Sequence, residues 1–229
     1  MIFVIAEHNH NKLKSITSEL LVFAQRAGRD FGQPVTAVVL GADTSAFTEE
    51  LKSKKIDRVL TVDDPKLAGY NPDAYIEVLK SLFEKEKPFL VLIGHTTQGM
   101  DFAPRLSVAL RRPLIAGCVE YEKQGDRLVL TRQIFNAKMN MKTAVRGEPP
   151  YLATASPGAF PGDEVESGGN AESWLFPSRF QDRSGGRSSN ASKLQKERRT
   201  CRPHRLSCPA AVGSRRSRIS ALFLSLQKR

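Results

Sequence analysis

The sequence predicts an α/β fold: a parallel sheet covered by helices on both faces, a small antiparallel extension, and a disordered basic tail. Three observations predict it. Short apolar runs alternate with helix-period stretches from residue 2 to residue 110. Four more strand-like runs follow, joined by short turns. The charge then divides the chain. Residues 1–166 carry 21 Lys/Arg and 21 Asp/Glu, whereas residues 167–229 carry 14 and 3, so the whole net charge of +11 sits in the last part. Such a break joins a folded body, residues 1–165, to a disordered Arg/Ser-rich tail, residues 166–229.

Residues 2–6 are a first buried strand, too short for a helix. Residues 7–11 read as an exposed polar loop. His8 and His10 stand at a spacing that could hold a metal, but nothing completes a ligand set. Ser15 is placed to cap a helix with Ile16, Leu20, Ala24 and Ala27 on one face, ending near Gly28. Residues 35–40 form a second strand, closed by Gly41. Thr44 or Ser45 starts a short helix with Phe47 and Leu51 inward and a basic end, which suits a helix C-terminus. Residues 58–62 are a third strand, and Asp63-Asp64-Pro65 turns the chain. Asn71-Pro72 is a strong helix start, and Ala74, Val78, Leu79 and Leu82 supply the apolar stripe. Residues 89–93 are the fourth strand.

Beyond Arg111-Arg112-Pro113 the pattern changes. Residues 114–121, 127–134, 139–146 and 151–155 read as strands of the antiparallel extension, with Gln124-Gly125-Asp126 as a hairpin turn. The Pro/Gly-rich stretch 156–162 closes the body. Trp174-Leu175-Phe176 and residues 219–226 are apolar islands too isolated to build a core. Cys201, His204 and Cys208 match no zinc spacing.

The chain is organised around residues 91–110, VLIGHTTQGMDFAPRLSVAL. An apolar strand ends at Gly94, a polar loop follows, and Asp101 stands where it could cap a helix carrying Phe102, Leu106 and Leu110. Strand, glycine-flanked loop and helix together present backbone N–H groups at the carboxyl edge of a parallel sheet, where anions and nucleotides bind. The candidate nucleotide loop is therefore Gly94, Thr96, Thr97, Gly99 and Asp101. The glycines admit a phosphate or ribose, the threonines offer donors and acceptors, and Asp101 could accept from a ribose hydroxyl. The plainer reading, a tight connection and nothing more, stays open beside it.

No apolar run approaches the ~18 residues of a membrane span. The chain opens directly on a strand without a leader, which predicts a cytoplasmic protein, bacterial or archaeal. Three cysteines, Cys118, Cys201 and Cys208, do not make a disulfide framework. No paired nucleophile and base is visible, so no catalytic residue is expected.

Several segments in order resemble the N-terminal domain of the electron transfer flavoprotein alpha subunit. Phe3-Val4-Ile5-Ala6-Glu7-His8 resembles the family's first strand and acidic turn. Residues 94–106, GHTTQGMDFAPRL, resemble its G-x-T-x-x-G-R-D-x-A-P-R-L segment, with Met100 replacing the usual arginine. Residues 131–138 resemble the R-P-I-Y-A-G-K strand, with departures at Gln133 and Asn136. Residues 153–160 resemble the T-x-R-P-G-A-F close, with Ser156 where arginine is common. The resemblance covers about residues 1–165 and implies a Rossmann-like, adenine nucleotide alpha hydrolase-like fold.

The family's FAD-holding second domain has an S-R-x-x-V-D segment, a Q-V-G-Q-T-G loop and a G-I-S-G-A-x-Q-H turn. None occurs in these 229 residues, so flavin binding by this chain is not expected. The resemblance implies an electron-carrier subunit rather than an enzyme. Its partners would be a beta subunit in a heterodimer and, through it, dehydrogenases such as the acyl-CoA dehydrogenases of fatty acid beta-oxidation. Two other classes remain: a free-standing AMP- or ATP-binding domain using the loop above, and nucleic-acid binding through the tail. The tail lacks the interleaved aromatics that stack on bases, so nucleic acid is the weaker reading.

Overall fold

The computed structural model describes residues 1–9 and 12–177. His10, Cys201, His204, Cys208, the island at 219–226 and most of the basic tail lie outside the described residues.

In chain order the elements are β1 (Ile2–Ile5), β2 (His8–Asn9), β3 (Lys12–Leu13), α1 (Ser15–Phe31), β4 (Val35–Gly41), α2 (Ser45–Lys52), β5 (Arg58–Asp63), α3 (Pro72–Glu86), β6 (Leu90–Gly94), α4 (Thr97–Leu110), β7 (Leu114–Gln124), β8 (Arg127–Ile134), β9 (Met139–Ala144), β10 (Tyr151–Ala155) and β11 (Glu172–Leu175). Nine strands form one sheet in the order β11-β5-β4-β1-β6-β10-β7-β8-β9, and β2 and β3 form a separate two-stranded hairpin. Pairing is parallel from β11 to β7 and antiparallel from β7 to β9.

Strands β1, β4 and β6 are buried on both faces, which is why they read as continuous apolar runs rather than alternating ones. One face packs under α1 and α2 through Ile16, Leu20, Phe23, Ala27, Phe47 and Leu51. The other packs under α3 and α4 through Val78, Leu79, Leu82, Phe102 and Leu106. Burying a side chain of this size contributes ~1.5–3 kcal/mol, so these two stripes hold the helices to the sheet. Asn71 caps α3 as its sequence predicts, accepting from the Asp73 and Ala74 N–H groups.

Four expectations are corrected. Ser15 is the first residue of α1, and Lys14 precedes it without a side-chain cap. The helix runs through Gly28, where a Cβ would press to 2.9 Å from Gln33 O and Val35 Cγ2, and closes at Gly32, whose left-handed backbone favours glycine. β10 is not part of the antiparallel extension. It lies parallel between β6 and β7, inside the sheet.

The fourth correction moves the boundary at residue 165. Residues 172–175 pair parallel with β5 and complete the sheet edge, so this part of the expected tail belongs to the body. The linking segment is tied down on the way. Gln25 donates to Glu166 O (3.0 Å) and accepts from Glu166 N (3.1 Å), and Arg26 pairs with Glu164 at 2.5 Å. Gly169 lies so close to the Lys54 carbonyl that a Cβ would come within 2.2 Å of its oxygen.

Candidate functional site: the carboxyl edge at the switch point

The strand order reverses at β1. The chain lays down β4 and β5 on one side of it and then crosses to β6 on the other. In an open parallel sheet, the crevice beyond the carboxyl ends at this reversal is where ligands bind. Here it lies between the end of β1, at Glu7, and the loop after β6, at Gly94–Thr97.

Glu7 fills it. Its side chain is 1% exposed. Thr96 Oγ1 lies 2.7 and 2.9 Å from the two carboxylate oxygens and donates to them. Lys14 Nζ donates from 3.1 Å and lies 3.4 Å from Gln98 Oε1. The Glu7 backbone is clasped as well: its N–H donates to Thr17 Oγ1 (3.0 Å), and its carbonyl accepts from Thr17 Oγ1 (2.9 Å) and Lys14 N (2.8 Å). A buried carboxylate needs hydrogen-bond partners, and Thr96 and Lys14 supply them.

Both glycines of the loop are accounted for by internal packing. A Cβ on Gly94 would lie 2.7 Å from Glu7 Oε1 and 2.9 Å from Ile16 Cγ1. A Cβ on Gly99 would lie 1.8 Å from the Gly94 carbonyl oxygen, so Gly99 lets α4 rest directly on the end of β6. The absent side chains make room for the protein's own atoms.

Asp101 is not the helix cap. Thr96 is: its extended backbone precedes α4, and its Oγ1 accepts from Gly99 N at 3.1 Å. Thr96 precedes the residue three positions on in the manner of a capping threonine, and the helix therefore starts a turn earlier than the apolar spacing suggests. Asp101 sits inside the helix on its exposed side. It accepts from Tyr70 Oη (2.9 Å) and pairs with Arg105, four residues on, at 3.8 Å. Burial, and then the hydrogen bond to Asp101, push the Tyr70 hydroxyl above its ordinary range. Thr97 is the first residue of α4 and is exposed. The structure thus brings Gly94, Thr96 and Gly99 together around Glu7 and leaves Thr97 and Asp101 outside that cluster.

The neighbouring loops follow the same rule. Asp63, at the end of β5, accepts from Asp43 N (3.2 Å) and Thr44 N (3.3 Å), just before α2. His8 is not in a free loop either. Its Nε2 donates to the Leu40 carbonyl at 2.8 Å and its ring stacks on Phe47. Beyond β6, Thr154 Oγ1 accepts from Gly117 N (2.9 Å) and lies 2.9 Å from His95 Nδ1. Three surface hollows, beside Arg26 and Tyr121, beside Arg127 and Tyr151, and beside Gln25 and Asp57, lie away from this loop. Reading residues 7–11 as an exposed loop misses Glu7 as a site residue, and nothing in the local pattern around Lys14 marks it as Glu7's partner. The signal was an acid directly after a buried strand, at the carboxyl edge of the sheet.

The electron transfer flavoprotein domain family matches residues 2–174. The chain belongs to that family. It is similar to the electron transfer flavoprotein subunit alpha of Bacillus subtilis (strain 168), 30% identical over 166 residues, covering 72% of this chain and 50% of that protein. The alpha subunit of Megasphaera elsdenii is 31% identical over 173 residues, 75% of this chain and 51% of that one. The lactate dehydrogenase (NAD(+),ferredoxin) subunit LctC of Acetobacterium woodii is 29% identical over 154 residues, 67% and 37% respectively. The chain spans about half the length of the alpha subunits it matches. No helix among the described residues is long and apolar enough to cross a membrane.

Proposed function

We propose that this chain is an alpha-subunit-like component of an electron transfer flavoprotein in which residues 1–177 act as a docking and scaffolding body and hold no cofactor. The family's task, passing electrons from dehydrogenases such as acyl-CoA dehydrogenases through FAD in an alpha/beta heterodimer, is then the setting of the chain, in a bacterial or archaeal cytoplasm. The observation that carries this reading is the buried Glu7 carboxylate. It sits where the start of α4 would otherwise receive a phosphate, and two anions on one helix start repel. Gly94, Thr96, Thr97, Gly99 and Asp101 then form a connection and not a nucleotide cradle.

Nothing in the body acts as a catalyst in this reading. Burial pushes the Cys118 thiol up to about 12, so it stays protonated and unreactive at neutral pH. The redox chemistry belongs to the flavin, and the protein's part is position. The test is to purify the full chain alone and with a beta subunit. The expected result is a one-to-one complex by sedimentation and no flavin absorbance near ~450 nm from the isolated chain. Flavin carried by the isolated chain, or no association with the beta subunit, overturns the reading.

A further inference from the structure

We propose that the β8–β9 hairpin is a docking arm that takes an extended, acidic and apolar strand of a partner protein along the open edge of β9. This deepens the docking reading above by naming the surface and the chemistry of what it receives.

The first observation is the edge itself. β9 is the last strand of the sheet, and five of its six residues are exposed. Just beyond it, Val145 N donates inward to Leu128 O at 3.0 Å. Strand alternation then turns the backbone groups of Met141 and Thr143 toward β8 and those of Asn140, Lys142 and Ala144 outward. Its register with β8 is unbroken from Ile134↔Met139 to Val129↔Ala144, and it contains no proline. Proteins usually blunt such an edge with a bulge, a proline or a projecting charge. The one charge on β9, Lys142, is drawn back to Glu122 on β7.

The second observation is apolar exposure. Phe135 is 70% exposed, Met139 56% and Met141 39%. Met139 and Met141 share a face, opposite Ile134 and Arg132. Arg132 Nε is buried on this hairpin without an acceptor among the described residues.

The third observation selects the occupant. Residues 127–146 carry Arg127, Arg132, Lys138, Lys142 and Arg146 and no Asp or Glu. Two such hairpins edge to edge would set like charges against each other, which argues against a second copy of the chain. An acidic strand with alternating apolar residues meets all three features. Its backbone completes the ladder, its apolar side chains cover Met139 and Met141, and its carboxylates meet the basic rim.

The experiment is residue-resolved hydrogen exchange on the full chain with two probes: a beta subunit, and a synthetic peptide alternating Glu and Val. The Asn140, Lys142 and Ala144 amides should slow about tenfold or more with either probe, while Met141 and Thr143, already bonded to β8, change little. A peptide alternating Lys and Val should have no effect. Asn140→Pro removes only an outward donor and should abolish the peptide's effect with the melting curve unchanged. Should that variant fail to fold, Lys138→Glu with Arg146→Glu should weaken peptide binding about tenfold.

Protection by the peptide without association of the beta subunit upholds the arm and removes the docking reading. A beta subunit that binds but slows only amides of α4, around Met100 and Val108, overturns the arm and leaves the docking reading standing. No protection from either probe overturns the arm. So does binding of the hairpin to phosphatidylserine vesicles with neither probe protecting β9.

Discussion

The parallel centre and the antiparallel arm belong to one sheet but are finished differently. At the carboxyl edge of the centre, the acids are already engaged by the chain itself: Glu7 by Thr96 and Lys14, Asp63 by the Asp43 and Thr44 N–H groups. In the arm, β9 is exposed along most of its length and three large apolar side chains face water. The switch-point crevice holds a buried carboxylate of the chain itself, and the last strand of the sheet is exposed. The docking proposal rests on this difference: the centre spends its polar groups on its own chain, and the arm leaves an edge exposed.

One substitution in each region should separate the two most sharply. Gly99→Ala drives a Cβ into the Gly94 carbonyl, so α4 must lift from β6, at a cost of about 3 kcal/mol. Met141→Thr in the arm should change stability by less than about 0.5 kcal/mol. Urea midpoints at constant slope read both, and equal effects would erase the distinction.

The cap comes next in size. Thr96→Ala removes the α4 cap and a donor to a buried carboxylate, so it should cost about 2 kcal/mol, and Thr96→Ser should recover most of that. Asp101→Ala, on the exposed side of the helix, should cost under about 0.5 kcal/mol. A larger loss for Asp101 than for Thr96 would restore Asp101 as the cap.

A smaller effect appears with alkali. Burial raises the Cys118 thiol from 9.0 to about 12 and the Tyr75 hydroxyl from 10.0 to about 12. Both folded values exceed the unfolded ones, so the neutral forms favour the fold. Their contribution is complete below pH 9 and is lost as pH rises from 9 towards 12. The urea midpoint should fall across that window, and Cys118→Ala should delay the onset to about pH 10, where Tyr75 takes over. A flat profile would mean that neither group is buried as described.

Much of this was legible in the sequence. Continuous apolar runs at 35–40 and 89–93 mark strands covered on both faces, and Asn71-Pro72 marks a helix start by its own chemistry. The position of β10 was not legible, because a five-residue strand carries no sign of which neighbour it will join. β11 was missed because its four residues, Glu172-Ser173-Trp174-Leu175, are exposed and lack a periodic pattern, and what places them is the tie from Gln25 to Glu166 far upstream. At the site, spacing located the loop but not its occupant. Glu7 is 89 residues from Thr96, and no local pattern reports so distant a pairing.

The claim that the switch-point crevice is filled by Glu7 is tested most directly by melting the wild-type chain with and without AMP. A ligand that binds the folded state raises its midpoint with concentration. The account predicts superimposable curves at every AMP concentration. A midpoint that climbs with AMP in the wild type and stays fixed in Thr97→Val would contradict it and return the loop to the role of a nucleotide site.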